Sequence, residues 1–193
     1  MIADVVGFLR NRLNKTFPRD GAGGSAEDLF VYAGSKDDAV SFTANALSVL
    51  LVRLEEETAM RPPDRHAQIA ADGARRRIEP EIRMNLFVLF VARFPDDYGQ
   101  ALQHLSRLVR YFQNHRVFNH DNSPELHAQV PQLVLELVTP TFSEQNEIWG
   151  ALRVSYQPSA LYKVRMVIFP DEEGMPGPIV KTVIPRVIRV APG

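Results

Sequence analysis

The chain has 193 residues, of which 45% are apolar and 23% charged, a composition that is typical of a folded domain and excludes global disorder. The 22 lysines and arginines nearly balance the 23 aspartates and glutamates, and a net charge of -1 gives no support to a nucleic-acid or membrane-surface binder. The absence of cysteine excludes a disulfide scaffold, a cysteine-ligated zinc site and a thiol nucleophile.

The chain begins with a pattern that predicts an amphipathic helix. Pro18 predicts that this helix ends by about Phe17. Asp4 interrupts the apolar run and arginines follow it, whereas a secretory signal places its positive charge first. No apolar stretch approaches the ~20 residues of a membrane span, so we expect a soluble protein that is made in the cytoplasm. The helical stripe consists of Ile2, Val5, Val6, Leu9 and Leu13.

Five segments have the pattern of β-strands. Residues 83–93 are apolar on both faces, which predicts a strand in the middle of a sheet that is covered on both sides. Residues 42–55 are also apolar on both faces and predict a second buried strand, either continuous or broken near Asn45. Residues 161–169 carry Lys163 and Arg165 on one face, which favours an edge or solvent-facing position. The two remaining candidates are residues 29–32 and 132–138.

Two more helices are predicted in the second half of the chain. Asp97 follows a proline and is a candidate N-cap for a helix that ends near Asn114. Thr141 and Glu144 fit a capping box at the start of a short helix, on which Trp149 is predicted to pack into the core. Strands and helices do not alternate strictly, so we predict a single α+β domain with a mixed, mostly antiparallel sheet flanked by helices. The stripe of the longer helix is Tyr98, Ala101, Leu102, Leu105, Leu108, Val109 and Phe112.

Three segments have the composition of loops or extensions. The glycine cluster at residues 20–25 lacks the lysine of a phosphate-binding loop and predicts a flexible connector. Residues 60–80 predict a long mobile excursion, whose three arginines suit either phosphate or an acidic partner, or simply solvent. Residues 171–178 predict a linker before residues 179–190, which are rich in β-formers but contain Pro185. We therefore divide the chain into a domain of residues 1–178 and an extension of residues 179–193.

The sequence contains no pattern that specifies a catalytic, cofactor or metal site. His115, His120 and His127 lack the spacing of a helical zinc pair, although Asp121 lies near them. The carboxylates of residues 55–57 and 171–173 are consecutive, so their side chains point in different directions and predict solvated loop mouths. We therefore predict that the protein is not an enzyme and uses no cofactor.

Four stretches together resemble a known family. They are the opening Met1–Ile2 helix, residues 45–56, residues 86–92 before a tyrosine-containing helix, and residues 142–165. The most specific part is Ser-Glu-x-x-x-Ile-Trp-x-x-Leu from Ser143, followed by Tyr-x-x-Ser-x-x-Tyr-x-Val-Arg from Tyr156. These stretches are similar to the N-terminal-type domain of the Pvc tail-terminator, or cap, proteins of contractile injection systems.

The resemblance implies a phage-tail-terminator-like fold and a structural role. Its members form a ring, expected to be hexameric, on the distal end of the tube and sheath, where they stop polymerisation and fix tail length. The implied partners are copies of the chain itself and the tube and sheath proteins, with no nucleic acid and no membrane span. The chain would be cytoplasmic during assembly and then part of the particle.

Two hypotheses about the function remain open from the sequence. In the structural hypothesis, residues 179–190 add as a strand to a neighbouring cap or sheath subunit, or else complete the sheet of their own chain. The alternative is a small metal-dependent hydrolase that uses the loop from His115 to His127. The candidate interface residues of the structural hypothesis are Arg75, Arg76, Arg77, Ile179, Val180, Val183, Ile184, Val187 and Ile188.

Overall fold

The structure is a computed structural model. It describes residues 1–18, 28–36, 39–58, 68–69, 75–77, 82–169 and 175–176. The chain forms two compact units, one of residues 1–60 with 82–169 and the other of residues 61–81 with 170–193. None of the helices within the described ranges is long and apolar enough to cross a membrane. The predicted division between residues 178 and 179 stays a prediction.

The larger unit is an α+β domain built on one six-stranded sheet, which confirms the predicted fold class. Its elements are α1 (Ile2–Thr16), β1 (Phe30–Tyr32), β2 (Gly34–Lys36), β3 (Ala39–Ser41), β4 (Ala46–Glu56), β7 (Ile82–Arg93), α2 (Tyr98–Asn114), β8 (Val117–Asn119), β9 (Gln132–Val138), α3 (Phe142–Leu152) and β10 (Ser159–Phe169). The strand order is β1-β4-β7-β10-β9-β8, and every neighbouring pair is antiparallel except β1 and β4. A separate two-stranded hairpin joins β2 to β3.

The smaller unit contains the short strands β5 (Gln68–Ile69), β6 (Arg75–Arg77) and β11 (Met175–Pro176). β6 pairs with both of the others in antiparallel register. The prediction of an unstructured excursion over residues 60–80 is therefore wrong at β5 and β6, and the predicted loop at 171–178 contains β11. Strands of two or three residues carry too short a pattern to be read from sequence, because their partners lie far away in the chain.

β7 is the central strand that its sequence predicts. Alternate residues face opposite sides of a strand, and here each side enters a separate hydrophobic cluster. The larger cluster, under α1 and α2, receives Leu86, Val88, Phe90 and Ala92. The smaller cluster, under α3, receives Leu89 and Val91. The sheet therefore needs helices on both faces, and the chain supplies them.

β4 lies beside β7 and begins just after Asn45, where the sequence allowed a break. Residues 44–45 form a turn in which Asn45 has a φ of 56°, so the strand starts at Ala46 and not at Phe42. Asparagine tolerates this left-handed conformation better than most residues. Phe42 instead packs against Trp149 in the smaller cluster. The β2–β3 hairpin before it is a feature that the sequence pattern does not predict.

β10 is not an edge strand, which is one of the two positions that its charged face favours. It lies between β7 and β9 and pairs with both. Its polar face is accommodated because Lys163 and Arg165 pair with glutamates on β9 and at the end of β4, two strands away. The other face is apolar, and burial raises the pKa of the Tyr162 hydroxyl to about 12. A strand with charged residues is therefore central here, because glutamates elsewhere in the sheet pair with its cations.

α2 begins and ends as predicted, and only part of its apolar stripe is buried. The Asp97 side chain accepts a hydrogen bond from the Gln100 N–H at 2.8 Å. Tyr98 and Leu102 are 63% and 45% exposed, although the pattern predicts both in the buried stripe. Tyr111, which lies outside the predicted stripe, is buried, and its hydroxyl accepts a hydrogen bond from Arg12 at 3.2 Å. The helix is therefore rotated toward Ala101, Leu108, Tyr111 and Phe112.

α3 is held by the predicted capping box. The Thr141 hydroxyl accepts from the Glu144 N–H at 3.3 Å, and the Glu144 carboxylate accepts from the Thr141 N–H at 2.8 Å. The hydrogen bond from the Thr141 backbone lowers the pKa of Glu144. Trp149 is buried on the inner face of this helix, 6.0 Å between ring centroids from Phe42 and 5.4 Å from Tyr156.

Replacing Trp149 by alanine tests whether α3 is held mainly by this ring. The substitution Trp149→Ala removes the largest side chain of the smaller cluster and leaves a cavity, so we expect a loss of about 3–5 kcal/mol in the free energy of unfolding. Urea denaturation followed by circular dichroism measures it. Phe142→Ala, at an 88% exposed position of the same helix, is the matched control and should change stability little. Equal effects of the two substitutions would contradict a core role for Trp149.

Candidate functional site

Three of the nine predicted interface residues lie in the described part of the chain. Arg75, Arg76 and Arg77 form strand β6, in which Arg76 pairs with Gln68 on one side and Pro176 on the other. Ile179, Val180, Val183, Ile184, Val187 and Ile188 lie outside the described residues. The interface role of all nine residues stays a prediction.

The histidine loop does not assemble into a metal centre. The Nδ1 atom of His115 lies 3.0 Å from the Tyr111 carbonyl, and its ring stacks on Tyr111 with 4.5 Å between centroids. His127 Nδ1 accepts from the Gln129 N–H at 3.3 Å. Across the parts of the chain with described positions, no group of three or more histidine, aspartate or glutamate side chains could hold a metal ion. The hydrolase alternative therefore has no constellation to support it.

A row of charges crosses the sheet on the face that carries α3. The Arg165 guanidinium contacts Glu136 on β9 at 3.0 Å and Glu57, just after β4, at 3.2 Å. The Lys163 ammonium lies 3.5 Å from Glu55. The hydrogen bond to Glu136 is the main reason that the pKa of Arg165 is raised. The predicted solvated mouth at residues 55–57 is thus wrong for Glu55 and Glu57, which link strands.

The Phe87 ring lies between this charged row and the apolar cluster under α3. Arg53 and Lys163 both lie over the Phe87 ring, at 5.3 and 5.4 Å from its centroid. A cation over an aromatic face is attracted by the ring quadrupole, so Phe87 joins the apolar and charged halves of the sheet face. Three carboxylates share two cations in this row, because Arg165 pairs with both Glu57 and Glu136. The ion pairs link the end of β4, β10 and β9, and the row crosses β7 at Phe87.

An apolar groove of about 320 Å³ opens beside α3. Its floor contains Trp149 and Leu161, and its rim contains Leu137 and Tyr156, which are 52% and 54% exposed. A second groove, of about 450 Å³, follows α1 and is lined by the Arg12–Glu125 ion pair among mixed charges. The groove beside α3 is therefore mostly apolar, whereas the groove along α1 is mostly charged and polar.

Comparison with known families decides the identity of the domain. The sequence profile of the Pvc16 N-terminal domain matches residues 4–182. The chain belongs to this family. No curated protein matches it in sequence. The family assignment confirms the resemblance that residues 142–165 carried most specifically.

Two solved structures share the fold of this Pvc16 N-terminal domain. One is the sheath/tube terminator of the extracellular contractile injection system PVC in its extended state, with 16% identity and a TM-score of 0.58 over 99% of this chain. The other is the tube-terminating cap of the anti-feeding prophage, with 18% identity and a TM-score of 0.59 over 97% of this chain. The chain spans 65% and 62% of the lengths of those two proteins. The predicted terminator-like fold is confirmed.

Breaking the Arg165 pairs tests whether the charged row stabilises the sheet. Arg165→Met removes the cation that lies 3.2 Å from Glu57 and 3.0 Å from Glu136, and the Glu57 side chain is only 12% exposed. We expect a loss of about 1–2 kcal/mol, between the values typical of exposed and buried pairs. Urea unfolding of the single variants and of Arg165→Met with Glu136→Gln gives the coupling energy.

The matched control for that cycle is Arg12→Met with Glu125→Gln. This pair has the same 3.0 Å separation but joins a helix to a loop. We expect a coupling energy of similar size there, because the two pairs are similarly exposed, at 30% and 34% for the control and 28% and 41% for Arg165 with Glu136. A coupling energy near zero for Arg165 with Glu136 would show that the row contributes nothing to stability.

Proposed function

We propose that the protein is a structural tail terminator, a cap that forms a ring on the distal end of the tube and sheath of a contractile injection system. There it stops polymerisation and fixes tail length. The observation that carries the proposal is the fold match to two terminators over 97–99% of this chain, together with membership of the Pvc16 N-terminal domain family.

The surface chemistry supports a structural role. The described residues include no candidate metal cluster, and the grooves contain paired or apolar side chains. Exposed apolar residues lie on α2, α3, the rim of the groove beside α3 and the strands β1, β4, β7 and β8. Such residues suit binding to repeated subunits better than binding a small substrate. We propose accordingly that the protein has no enzymatic activity.

The proposed assembly is a homohexameric ring that also contacts tube and sheath proteins. The chain would assemble in the cytoplasm and then remain in the contractile particle. Light scattering of the purified chain, alone and with tube or sheath protein, measures the ring directly. A stable monomer under all of these conditions would contradict the ring.

The interface in this proposal includes the arginines of β6 and residues 179–190. Arg75, Arg76 and Arg77 place three cations in succession, which suits an acidic surface of a tube or sheath subunit. The later segment is rich in valine and isoleucine and suits pairing with a strand of another subunit. Its Pro185 lacks a donor, which an added strand tolerates.

Truncation after Gly177 tests the role of residues 179–190 in capping. We expect a folded, soluble protein that no longer caps, because the strand that binds the neighbouring subunit is gone. Particles assembled with it should have irregular lengths in electron micrographs. A chain that ends after Val190 keeps the whole segment and serves as the control. Aggregation or unfolding of the shorter chain would favour an intramolecular strand, and normal tail lengths would contradict both roles.

A further inference from the structure

The domain blocks the outer edges of its two terminal strands with asparagine side chains. At β1, the Asn14 amide donates to the Phe30 carbonyl at 2.9 Å and accepts from the Phe30 N–H at 2.8 Å. At β8, the Asn122 amide donates to the Val117 carbonyl at 3.0 Å and accepts from the Asn119 N–H at 3.0 Å. In each case one side chain occupies main-chain groups that would otherwise recruit another strand.

A third edge in the same sheet carries no such block. β1 covers β4 only at Leu47, Ser48 and Val49, and a last hydrogen bond joins the Ala33 N–H to the Val49 carbonyl at 3.2 Å. Beyond that point β4 continues to Glu56, and no strand or side chain among the described residues bonds its outer main-chain groups. An open edge of this length is a template for strand addition.

The pairing with β7 shows which groups of β4 point outward. The Glu57 N–H donates to the Arg83 carbonyl at 2.7 Å, so Glu57 faces β7. Inward and outward residues alternate in an antiparallel pair, and the outward main-chain groups below the irregularity between Leu51 and Arg53 are therefore those of Leu54 and Glu56. Leu54 is 45% exposed, so an added strand would also cover an apolar side chain.

We propose that the open edge of β4, from Val52 to Glu56, accepts residues 179–190 of a neighbouring copy of this chain as an added strand. The proposal rests on the proposed ring and identifies the contact between its neighbouring copies. The acceptor carries the exposed Glu56, between Glu55 and Glu57 that pair within the sheet, whereas the donor segment carries basic residues and otherwise mostly β-branched ones. Opposite charges on adjacent strands stabilise the pair and favour this occupant. The basic residues of the donor are Lys181, Arg186 and Arg189.

Donor and acceptor are different surfaces of the same chain, which makes the contact heterologous. Each copy then gives a strand on one side and receives one on the other, and a contact of this kind generates a closed ring when the rotation between copies closes. The asparagine blocks on β1 and β8 fit this scheme, because they bond outer main-chain groups of both terminal strands.

The chain contains no cysteine, so engineered pairs report the contact directly. One variant carries Leu54→Cys, and a second carries a single cysteine at Lys181, Thr182, Val183 or Ile184 in turn. The two variants are co-expressed as full chains, oxidised and analysed by non-reducing electrophoresis. The matched control is Leu102→Cys, on a helix, because Leu102 has the same 45% exposure as Leu54.

We expect Leu54→Cys to form at least one disulfide between copies with a yield roughly tenfold above the Leu102→Cys control, because paired strands hold opposite Cβ atoms about 4.5–5.5 Å apart. Equal yields at the two positions, or no cross-link at either, would overturn the proposal. A variant that carries both cysteines in one chain tests the alternative. If cross-links form only in that variant, the segment completes its own sheet and the proposal is overturned.

The same samples separate this proposal from the proposed function. Electron microscopy shows whether the chains form rings and whether particles are capped. Rings and normal capping without a Leu54 cross-link would overturn the β4 contact and leave the terminator role intact. Cross-linked rings that fail to cap particles would overturn the terminator role and leave the contact intact.

Discussion

The apolar character of β7 on both faces is the constraint on which the rest of the structure depends. A twelve-residue strand with Leu86, Val88 and Phe90 on one side and Leu89 and Val91 on the other is stable only with cover on both sides. α1 and α2 cover the first face, and α3 covers part of the second. The lengths of β4 and β10 follow, because each pairs with β7 over most of its length.

α3 covers only part of its face of the sheet, and charged residues occupy the adjoining part. There Glu55, Glu57 and Glu136 meet Lys163 and Arg165 across four strands, and the Phe87 ring lies between them and the apolar part. This arrangement satisfies the charges of a central strand without a second helix. Each of these carboxylates lies within 3.5 Å of a cation.

The sequence allowed prediction of the features that depend on local periodicity and capping. The two faces of β7, the Asp97 cap of α2 and the Thr141–Glu144 box of α3 each depend on residues within a few positions of one another. The features that the sequence did not predict depend on distant partners. The central position of β10 requires Glu55 and Glu57, more than a hundred residues earlier, and β6 requires β5 and β11. A signal for the former was present in the glutamates themselves, because glutamate runs at a strand end are partners for basic residues elsewhere.

The candidate interface was the least predictable part, and the reason is physical. Apolar composition made residues 179–190 a candidate strand, for a neighbour or for their own sheet, but an acceptor edge has no composition of its own. Such an edge is recognised from main-chain groups that have no partner among the described residues. β1 covers β4 only as far as Val49, and Asn14 and Asn122 bond outer main-chain groups of β1 and β8. In the sequence, an asparagine is an ordinary polar residue. Only the structure shows that its amide bonds both an N–H and a carbonyl of one strand. In a protein that acts by assembly, the functional information therefore lies in which edges are closed.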